Sequence, residues 1–295
     1  MDRISLTDGL SFSRIAYGLW RIADGEDSSA AHITSKISAC LDQGITTLDQ
    51  ADIYGGYLAE AIMGEALKAA PGLRQKIEIV SKCGIVAPSE RYSTPVKHYN
   101  TSAAHIFGAA EQSLRDFGTD YLDLLLIHRP DPFMDHEETG RALDDLVAEG
   151  KIRAAGVSNF RPWDMDLLQS AMSQPLVTNQ IELSLAELSA FTDGTLAALQ
   201  QRRLPAMAWS PLGGGALMHG NSLLAARMDE LAATNDADRA AIAVAFLLAH
   251  PARILPVMGT NSLDRIRRFS DALSISLSRE EWFELYTLAQ GKPVP

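Results

Sequence analysis

Short runs of apolar, often β-branched residues alternate along the chain with longer stretches in which apolar positions recur at helical spacing. The short runs predict eight β-strands, and the longer stretches predict helices between them. The predicted strands are Ala16–Trp20, Thr46–Asp49, Ile77–Lys82, Leu122–His128, Ala154–Ser158, Val177–Ile181, Ala206–Trp209 and Ile254–Val257. The predicted helices are Ser29–Gln43, Leu58–Ala70, Ala103–Phe117, Glu138–Glu149, Trp163–Ser173, Leu196–Arg202, Leu223–Ala233, Arg239–His250 and Leu263–Ala272.

Strands that alternate with helices are typical of parallel βα units. Eight units in 295 residues predict an α/β fold of the (β/α)8 TIM-barrel type, which we expect to form a single domain over residues 1–295. Residues 4–13 contain two short strands around Asp8-Gly9, so we expect a β-hairpin that closes the bottom of the barrel. A doubly wound open sheet is the alternative, but no GxGxxG motif follows the first predicted strand.

Composition excludes several classes of partner. The net charge of −11 argues against nucleic acid and anionic membrane surfaces as ligands. The longest apolar stretch, Ala240–Ala249, is about half the length that a membrane span needs. Cys40 and Cys83 lie far apart, which predicts reduced thiols with no disulfide and no metal site. A charged N-terminus without an apolar run favours a cytoplasmic protein.

Four polar side chains follow or end three successive predicted strands. Asp49 and Tyr54 belong to the second strand and its following loop, Lys82 ends the third strand, and His128 ends the fourth. Catalytic groups of TIM barrels lie at the C-terminal ends of the strands. Each residue alone has an ordinary structural explanation, but burying four such groups costs free energy unless they satisfy one another. We therefore predict an active site here.

These residue types suit the reduction of a carbonyl group. A phenol has an unperturbed pKa of about 10, so Tyr54 is a poor acid unless a nearby cation stabilises its phenolate. Lys82 can supply that cation, and Asp49 can hold the ammonium group in place. His128 can hydrogen-bond to the substrate oxygen while Tyr54 donates the proton.

The same stretches of sequence resemble the aldo-keto reductase family, in particular its bacterial oxidoreductase branch. Matches occur in the family's order over nearly the whole chain, in the segments 48–55, 81–84, 124–131, 156–160, 178–182, 208–215 and 256–266. The resemblance implies a (β/α)8 barrel that binds NADPH and reduces a small-molecule aldehyde or ketone to an alcohol. It also implies that Asp49, Tyr54, Lys82 and His128 form the catalytic tetrad.

The resemblance further implies the residues that contact the cofactor and substrate. They are Ser158, Asn159 and Gln180 at the nicotinamide carboxamide, Trp209 at the nicotinamide ring, Ser210, Leu212 and Gly213 along the pyrophosphate, Gly259, Thr260, Asn261 and Arg265 at the 2′-phosphate, and Trp20 in the substrate pocket. A guanidinium group binds phosphate bidentately, so Arg265 favours NADPH over NADH.

Two other functions fit parts of the pattern. The chain can be a nucleotide-binding accessory subunit with little catalysis, in which case Tyr54→Phe removes no activity. It can also be a barrel lyase in which Lys82 forms a Schiff base, in which case borohydride traps a covalent adduct. The sequence carries no signal for an oligomeric state.

Overall fold

Eight parallel strands close into a barrel in the computed structural model, which describes residues 1–295. The strands in chain order are β1 (Arg3–Thr7), β2 (Leu10–Ser13), β3 (Ala16–Gly18), β4 (Thr47–Asp49), β5 (Glu78–Cys83), β6 (Ile85–Val86), β7 (His98–Tyr99), β8 (Leu124–Ile127), β9 (Ala155–Ser158), β10 (Leu176–Glu182), β11 (Ala206–Trp209) and β12 (Leu255–Met258). Around the barrel the order is β3-β4-β5-β8-β9-β10-β11-β12, and β12 pairs with β3. The predicted fold class is confirmed.

Helices lie between the barrel strands and at the C-terminus. They are α1 (Ala30–Leu41), α2 (Ala59–Ala69), α3 (Ala103–Phe117), α4 (His136–Ala148), α5 (Pro162–Ser170), α6 (Thr195–Gln201), α7 (Leu223–Thr234), α8 (Arg239–Leu248), α9 (Leu263–Ile266) and α10 (Arg279–Gln290). None of them is long and apolar enough to cross a membrane.

Strand β8 shows why the barrel strands are continuous apolar runs. Leu124 and Leu126 pack with the residues that fill the barrel interior. Leu125 and Ile127 belong to the larger core between the barrel and its helices. Because successive side chains of a strand point to opposite faces, and both faces are covered here, every position is apolar and fully buried.

The antiparallel hairpin β1–β2 closes the bottom of the barrel, as the sequence predicts. Its side chains Ile4, Leu10 and Phe12 are buried in one apolar cluster with interior residues that include Val80 and Met207. A buried apolar cluster therefore closes the bottom, and the polar strand ends lie at the opposite end.

The last part of the chain departs from the prediction. The helix expected at 263–272 ends at Ile266 and is followed by a 3-10 segment, Phe269–Ser274. Helix α10 was not predicted from the hydrophobic pattern, because Leu285 is its only fully buried residue. A capping box at Ser278 and Glu281 was the available signal. The long loop after β5 also contains the short hairpin β6–β7.

Candidate active site

Three neighbouring strands bring the four predicted residues to one mouth. Asp49 ends β4, Lys82 lies near the end of β5, and His128 follows β8 directly. Tyr54 opens a short 3-10 segment after β4. Gly55 has a positive φ of 57°, and a Cβ there would lie 2.5 Å from that of Ala23. The turn that presents Tyr54 therefore requires glycine.

Lys82 is the centre of the site. Its Nζ donates to Asp49 Oδ2 over 2.8 Å, to the backbone oxygen of Gln50 over 2.7 Å and to the Tyr54 hydroxyl over 3.1 Å. An ammonium group has three donors, so every proton of Lys82 is used. The side chain is fully buried, which fixes the ammonium group beside the phenol.

The environment keeps the proton on both groups. Burial raises the pKa of Tyr54 above its usual value of 10.0, although the charge of Lys82 acts in the opposite direction. Burial lowers the pKa of Lys82, but the charge of Asp49 and the hydrogen bonds to Asp49 and Tyr54 outweigh it and leave this pKa raised above 10.5. Tyr54 is therefore a protonated phenol that touches a charged ammonium group.

His128 faces Tyr54 across the mouth. The two rings meet edge to face with their centroids 5.8 Å apart. Burial, together with the charges of Lys82 and Arg129, holds the pKa of His128 well below 6.5, so its imidazole is neutral. Its Nδ1 is buried without a hydrogen-bond partner, which leaves Nε2 as the nitrogen available to a ligand.

The residues expected at the nicotinamide ring and its carboxamide form one hydrogen-bonded chain. Trp209 Nε1 donates to Asn159 Oδ1 over 3.0 Å, and Asn159 Nδ2 donates to Ser158 Oγ over 2.8 Å. Ser158 Oγ then donates to the backbone oxygen of Gln180 over 2.9 Å. These contacts hold an indole, an amide and a hydroxyl together at the ends of three adjacent barrel strands.

Gln180 also connects this chain to the Lys82 site. Its Nε2 donates to Asp49 Oδ1 over 2.7 Å, while Asp49 Oδ2 accepts from Lys82. The contact joins residues 131 positions apart and was not foreseen from the sequence. Gln180 therefore orients the carboxylate of Asp49.

The glycine-rich loop after β11 has the backbone of an anion-binding turn. Ser210 and Gly213 both have positive φ, of 51° and 58°, and the N–H of Gly213 donates to the Ser210 oxygen over 2.8 Å. A Cβ at Gly213 would lie 2.8 Å from that of Ala186. Leu212 lies between them and packs against the core. Backbone N–H groups in such turns can approach phosphate closely.

The segment after β12 carries the residues expected at the 2′-phosphate. Gly259 approaches β3, because a Cβ there would lie 3.4 Å from the Gly18 oxygen. The oxygen of Thr260 accepts from the Tyr17 hydroxyl over 3.1 Å. Arg265 is exposed and has no carboxylate partner, whereas its neighbours on the same segment do, Arg267 with Asp264 and Arg268 with Asp238 and Asp271.

Asn261 makes two hydrogen bonds that the sequence did not indicate. Its Oδ1 accepts from Lys36 Nζ over 3.1 Å, and its Nδ2 donates to the Arg21 oxygen over 2.7 Å. The amide therefore bridges helix α1 and the loop after β3. Lys36 was not singled out from the sequence, because one lysine in an amphipathic helix carries no distinguishing signal.

Two side chains near the mouth complete the description. Trp20 is 56% exposed, and Arg21 lies over its ring at 5.2 Å, so it does not form a closed pocket wall in this structure. Arg129 was missed from the sequence. Its guanidinium lies 5.6 Å from the ring centroid of Trp209, is half-buried and pairs with no carboxylate.

The donors present fit a dinucleotide cofactor. Arg265 is an exposed cation without a carboxylate partner, and the loop at Ser210 and Gly213 has the positive-φ backbone of an anion-binding turn. Amide, indole and hydroxyl groups lie between these points and suit a polar aromatic ring.

Comparison with known proteins gives a consistent result. The model of the Aldo/keto reductase family matches residues 14–289. A 6-dehydroglucose reductase of Agrobacterium fabrum is 62% identical over 100% of both chains. A second protein of that name, from Novosphingobium aromaticivorans, is 36% identical over 97% of this chain and 95% of its own. The aldo/keto reductase of Klebsiella pneumoniae in complex with NADP and acetate superposes with a TM-score of 0.81 at 28% identity, over 99% of this chain and 96% of its own.

Proposed function

The chain belongs to the aldo/keto reductase family of oxidoreductases, and we propose that it uses NADPH to reduce the aldehyde group of a polyhydroxylated sugar, with Tyr54 as the proton donor. The observation that carries this proposal is the ammonium group of Lys82, held between the carboxylate of Asp49 and the hydroxyl of Tyr54. It stabilises the phenolate that forms when Tyr54 gives up its proton.

Residues around the mouth bind the cofactor in this proposal. When bound, NADPH supplies the hydride that reduces the carbonyl carbon. Ser158, Asn159 and Gln180 hold the carboxamide, and Trp209 packs against the ring. Ser210, Leu212 and Gly213 follow the pyrophosphate, and Gly259, Thr260, Asn261 and Arg265 hold the 2′-phosphate. NADPH is therefore preferred over NADH, because the exposed guanidinium of Arg265 can bind the extra phosphate bidentately.

The proton then moves over a short path. His128 is neutral and hydrogen-bonds to the carbonyl oxygen through Nε2, which orients this oxygen towards Tyr54. The Tyr54 proton passes to the oxygen as negative charge develops there. The ammonium group of Lys82 keeps its own proton and stabilises the phenolate, and Asp49 keeps the ammonium group in position.

The substrate class follows from relatives and from Arg129. Two relatives that match almost the full chain bear the name 6-dehydroglucose reductase. Arg129 lies next to His128 and over the ring of Trp209 without a carboxylate partner. Its donors can bind the hydroxyl groups of a sugar, which present several acceptor oxygens. We therefore place the sugar hydroxyls at Arg129 and the aldehyde between Tyr54 and His128.

Lys82 is unsuited to Schiff-base chemistry. A Schiff base requires a neutral amine, which enzymes obtain by lowering the pKa of a lysine. The pKa of Lys82 is raised, and all three of its protons are engaged. Borohydride with a carbonyl substrate is expected to leave Lys82 unmodified.

A stoichiometric assay tests the proposal. Purified protein is mixed with 6-dehydroglucose and NADPH, and both the oxidation of NADPH and the formation of glucose are measured. We expect one glucose for each NADPH oxidised and much slower turnover with NADH. Tight binding of NADPH without turnover of any aldehyde would instead favour a nucleotide-binding accessory subunit.

A further inference from the structure

Lys36 of helix α1 is a fully buried ammonium group without a counterion. Its relative exposure is 0%, and its only hydrogen bond goes to Asn261 Oδ1 over 3.1 Å. No carboxylate lies within ion-pair distance of its Nζ, and Asp27 is the one acidic group whose charge affects it. Buried lysines are otherwise almost always paired, since an isolated charge is costly to remove from water.

The position of this charge is fixed by contacts that α1 and the residues after it make with two other segments of the chain. Asn261 holds Lys36 and also donates to the Arg21 oxygen, so the loop after β3 is joined to the same amide. Two residues beyond α1, Gln43 Nε2 donates to the oxygen of Ile266 over 2.8 Å and ties the end of this helix to α9. Helix α9 carries Arg265, so α1 and the segment 259–265 form one docked unit.

We propose that Lys36, which lies behind Asn261, belongs to the 2′-phosphate subsite. It positions Asn261 and supplies a positive charge that favours NADPH over NADH. This inference rests on the function proposed above, because it assigns a further residue to the cofactor site. Lys36 supplies a buried positive charge on one side of the subsite, and Arg265 supplies an exposed charge on the other. Because the ammonium group is fully buried, its charge acts on the phosphate across Asn261 and not by direct contact.

Charge balance explains why the site favours a phosphate. The ammonium group is surrounded by low-dielectric protein, where a charge acts more strongly than in water. A dianionic 2′-phosphate compensates this charge, whereas the 2′-hydroxyl of NADH does not. Lys36 therefore contributes to the difference in affinity between the two nucleotides and little to the affinity that they share.

Nucleotide fragments separate these contributions without any turnover. Titration calorimetry with 2′,5′-ADP reports the 2′-phosphate, and 5′-ADP serves as the matched ligand without it. Lys36→Met keeps the length of the side chain and removes the charge. We expect it to weaken 2′,5′-ADP binding by about tenfold or more and 5′-ADP binding by less than about twofold. Lys68→Met on α2, where Lys68 is exposed, is the control variant and leaves both affinities unchanged.

Each remaining outcome counts against the inference in a different way. Equal weakening of both nucleotides would make Lys36 a structural residue only, and unchanged binding would remove it from the subsite. Wild-type protein that bound neither fragment nor NADPH would overturn the proposed function itself.

A second variant keeps the test decisive if Lys36→Met does not fold. Lys36→Gln keeps a polar end that can donate to Asn261 Oδ1 and removes the charge. It is expected to reduce the preference for 2′,5′-ADP over 5′-ADP, and an unchanged preference contradicts the proposal.

Discussion

The bottom of the barrel is filled by Ile4, Leu10 and Phe12, whereas the mouth encloses the ion pair between Lys82 and Asp49. Both regions are buried, but they differ in how burial affects free energy. Burial of the apolar groups at the bottom stabilises the folded state by about 25 cal/mol for each Å² removed from water. The charged groups at the mouth lose their hydration, and only their contacts with one another offset that cost in free energy.

This contrast separates stability from chemistry within one barrel. Changes at the bottom are expected to lower the free energy of unfolding and leave turnover intact. Changes at the mouth should lower turnover and affect the free energy of unfolding less. Four substitutions test the contrast, in order of decreasing expected effect.

Tyr54→Phe should have the largest effect on activity. Without the hydroxyl no proton donor touches the substrate oxygen, so we expect kcat to fall by about 10²–10⁴-fold. The free energy of unfolding should change by no more than about 1–3 kcal/mol, since one donor of Lys82 loses its acceptor. Steady-state kinetics and urea denaturation measure the two effects.

Tyr57→Phe is the matched control for this substitution. The Tyr57 hydroxyl donates to the Ile85 oxygen and accepts from the Ala87 N–H, away from Lys82. Its loss should leave kcat within about threefold, because no group that touches the substrate changes. Retention of most turnover by Tyr54→Phe would refute the assignment of the proton donor.

Phe12→Ala should have the largest effect on stability. It removes a fully buried ring from the apolar cluster at the bottom, and we expect the free energy of unfolding to fall by about 3–5 kcal/mol. At a temperature where the variant remains folded, kcat/KM should match the wild type. Phe133→Ala is the control for stability, because Phe133 is 96% exposed and its loss should change stability by less than about 0.5 kcal/mol. A large loss of kcat/KM in folded Phe12→Ala would break the contrast.

Glu60→Gln tests a carboxyl group of α2 that is buried between the outer surface of the barrel and its helices. Burial raises the pKa of Glu60 from 4.5 to about 7, although hydrogen bonds from Ser81 and Ser113 act against the shift. The folded protein therefore holds this proton more tightly than the unfolded chain. Its contribution to stability is complete below pH 4.5 and is lost as the pH rises towards 7.

The stability lost over this range is about 3 kcal/mol, because each unit of pKa difference between the folded and unfolded states corresponds to about 1.36 kcal/mol. Glu60→Gln cannot ionise, so its free energy of unfolding should vary less between acidic and neutral pH than that of the wild type. Denaturation with urea across this range measures the difference. Glu65→Gln, on the exposed side of the same helix, should retain the pH dependence of the wild type. An unaltered slope in Glu60→Gln would show that other groups cause it.

Arg129→Met should have the smallest of the four effects. It removes the donors proposed for the sugar hydroxyls, so we expect KM for 6-dehydroglucose to rise about tenfold or more, which corresponds to the low end for a hydrogen bond from a charged group. The kcat value should change little, because Tyr54, Lys82 and His128 are untouched. Propionaldehyde has no hydroxyl groups and provides the comparison. An equal rise of KM for both aldehydes would place Arg129 outside the sugar site.

Much of the fold could be predicted from local patterns. The eight strands appear in the sequence as apolar runs, and all eight are present within a few residues of the expected bounds. The hairpin followed from the turn at Asp8-Gly9. Helix α10 could not be predicted in this way, because only Leu285 among its apolar residues is fully buried and the apolar spacing is weak. The single domain over residues 1–295 and the roles of the site residues stay predictions.

The sequence by itself determined that Asp49, Lys82 and His128 would meet, because parallel neighbouring strands place their C-terminal ends at one mouth. Only the tertiary structure decided which atoms touch. The bond from Gln180 to Asp49 depends on the register of strands on opposite sides of the barrel. The bond from Lys36 to Asn261 depends on the docking of α1. Such contacts join residues far apart in the chain, and no local periodicity records them.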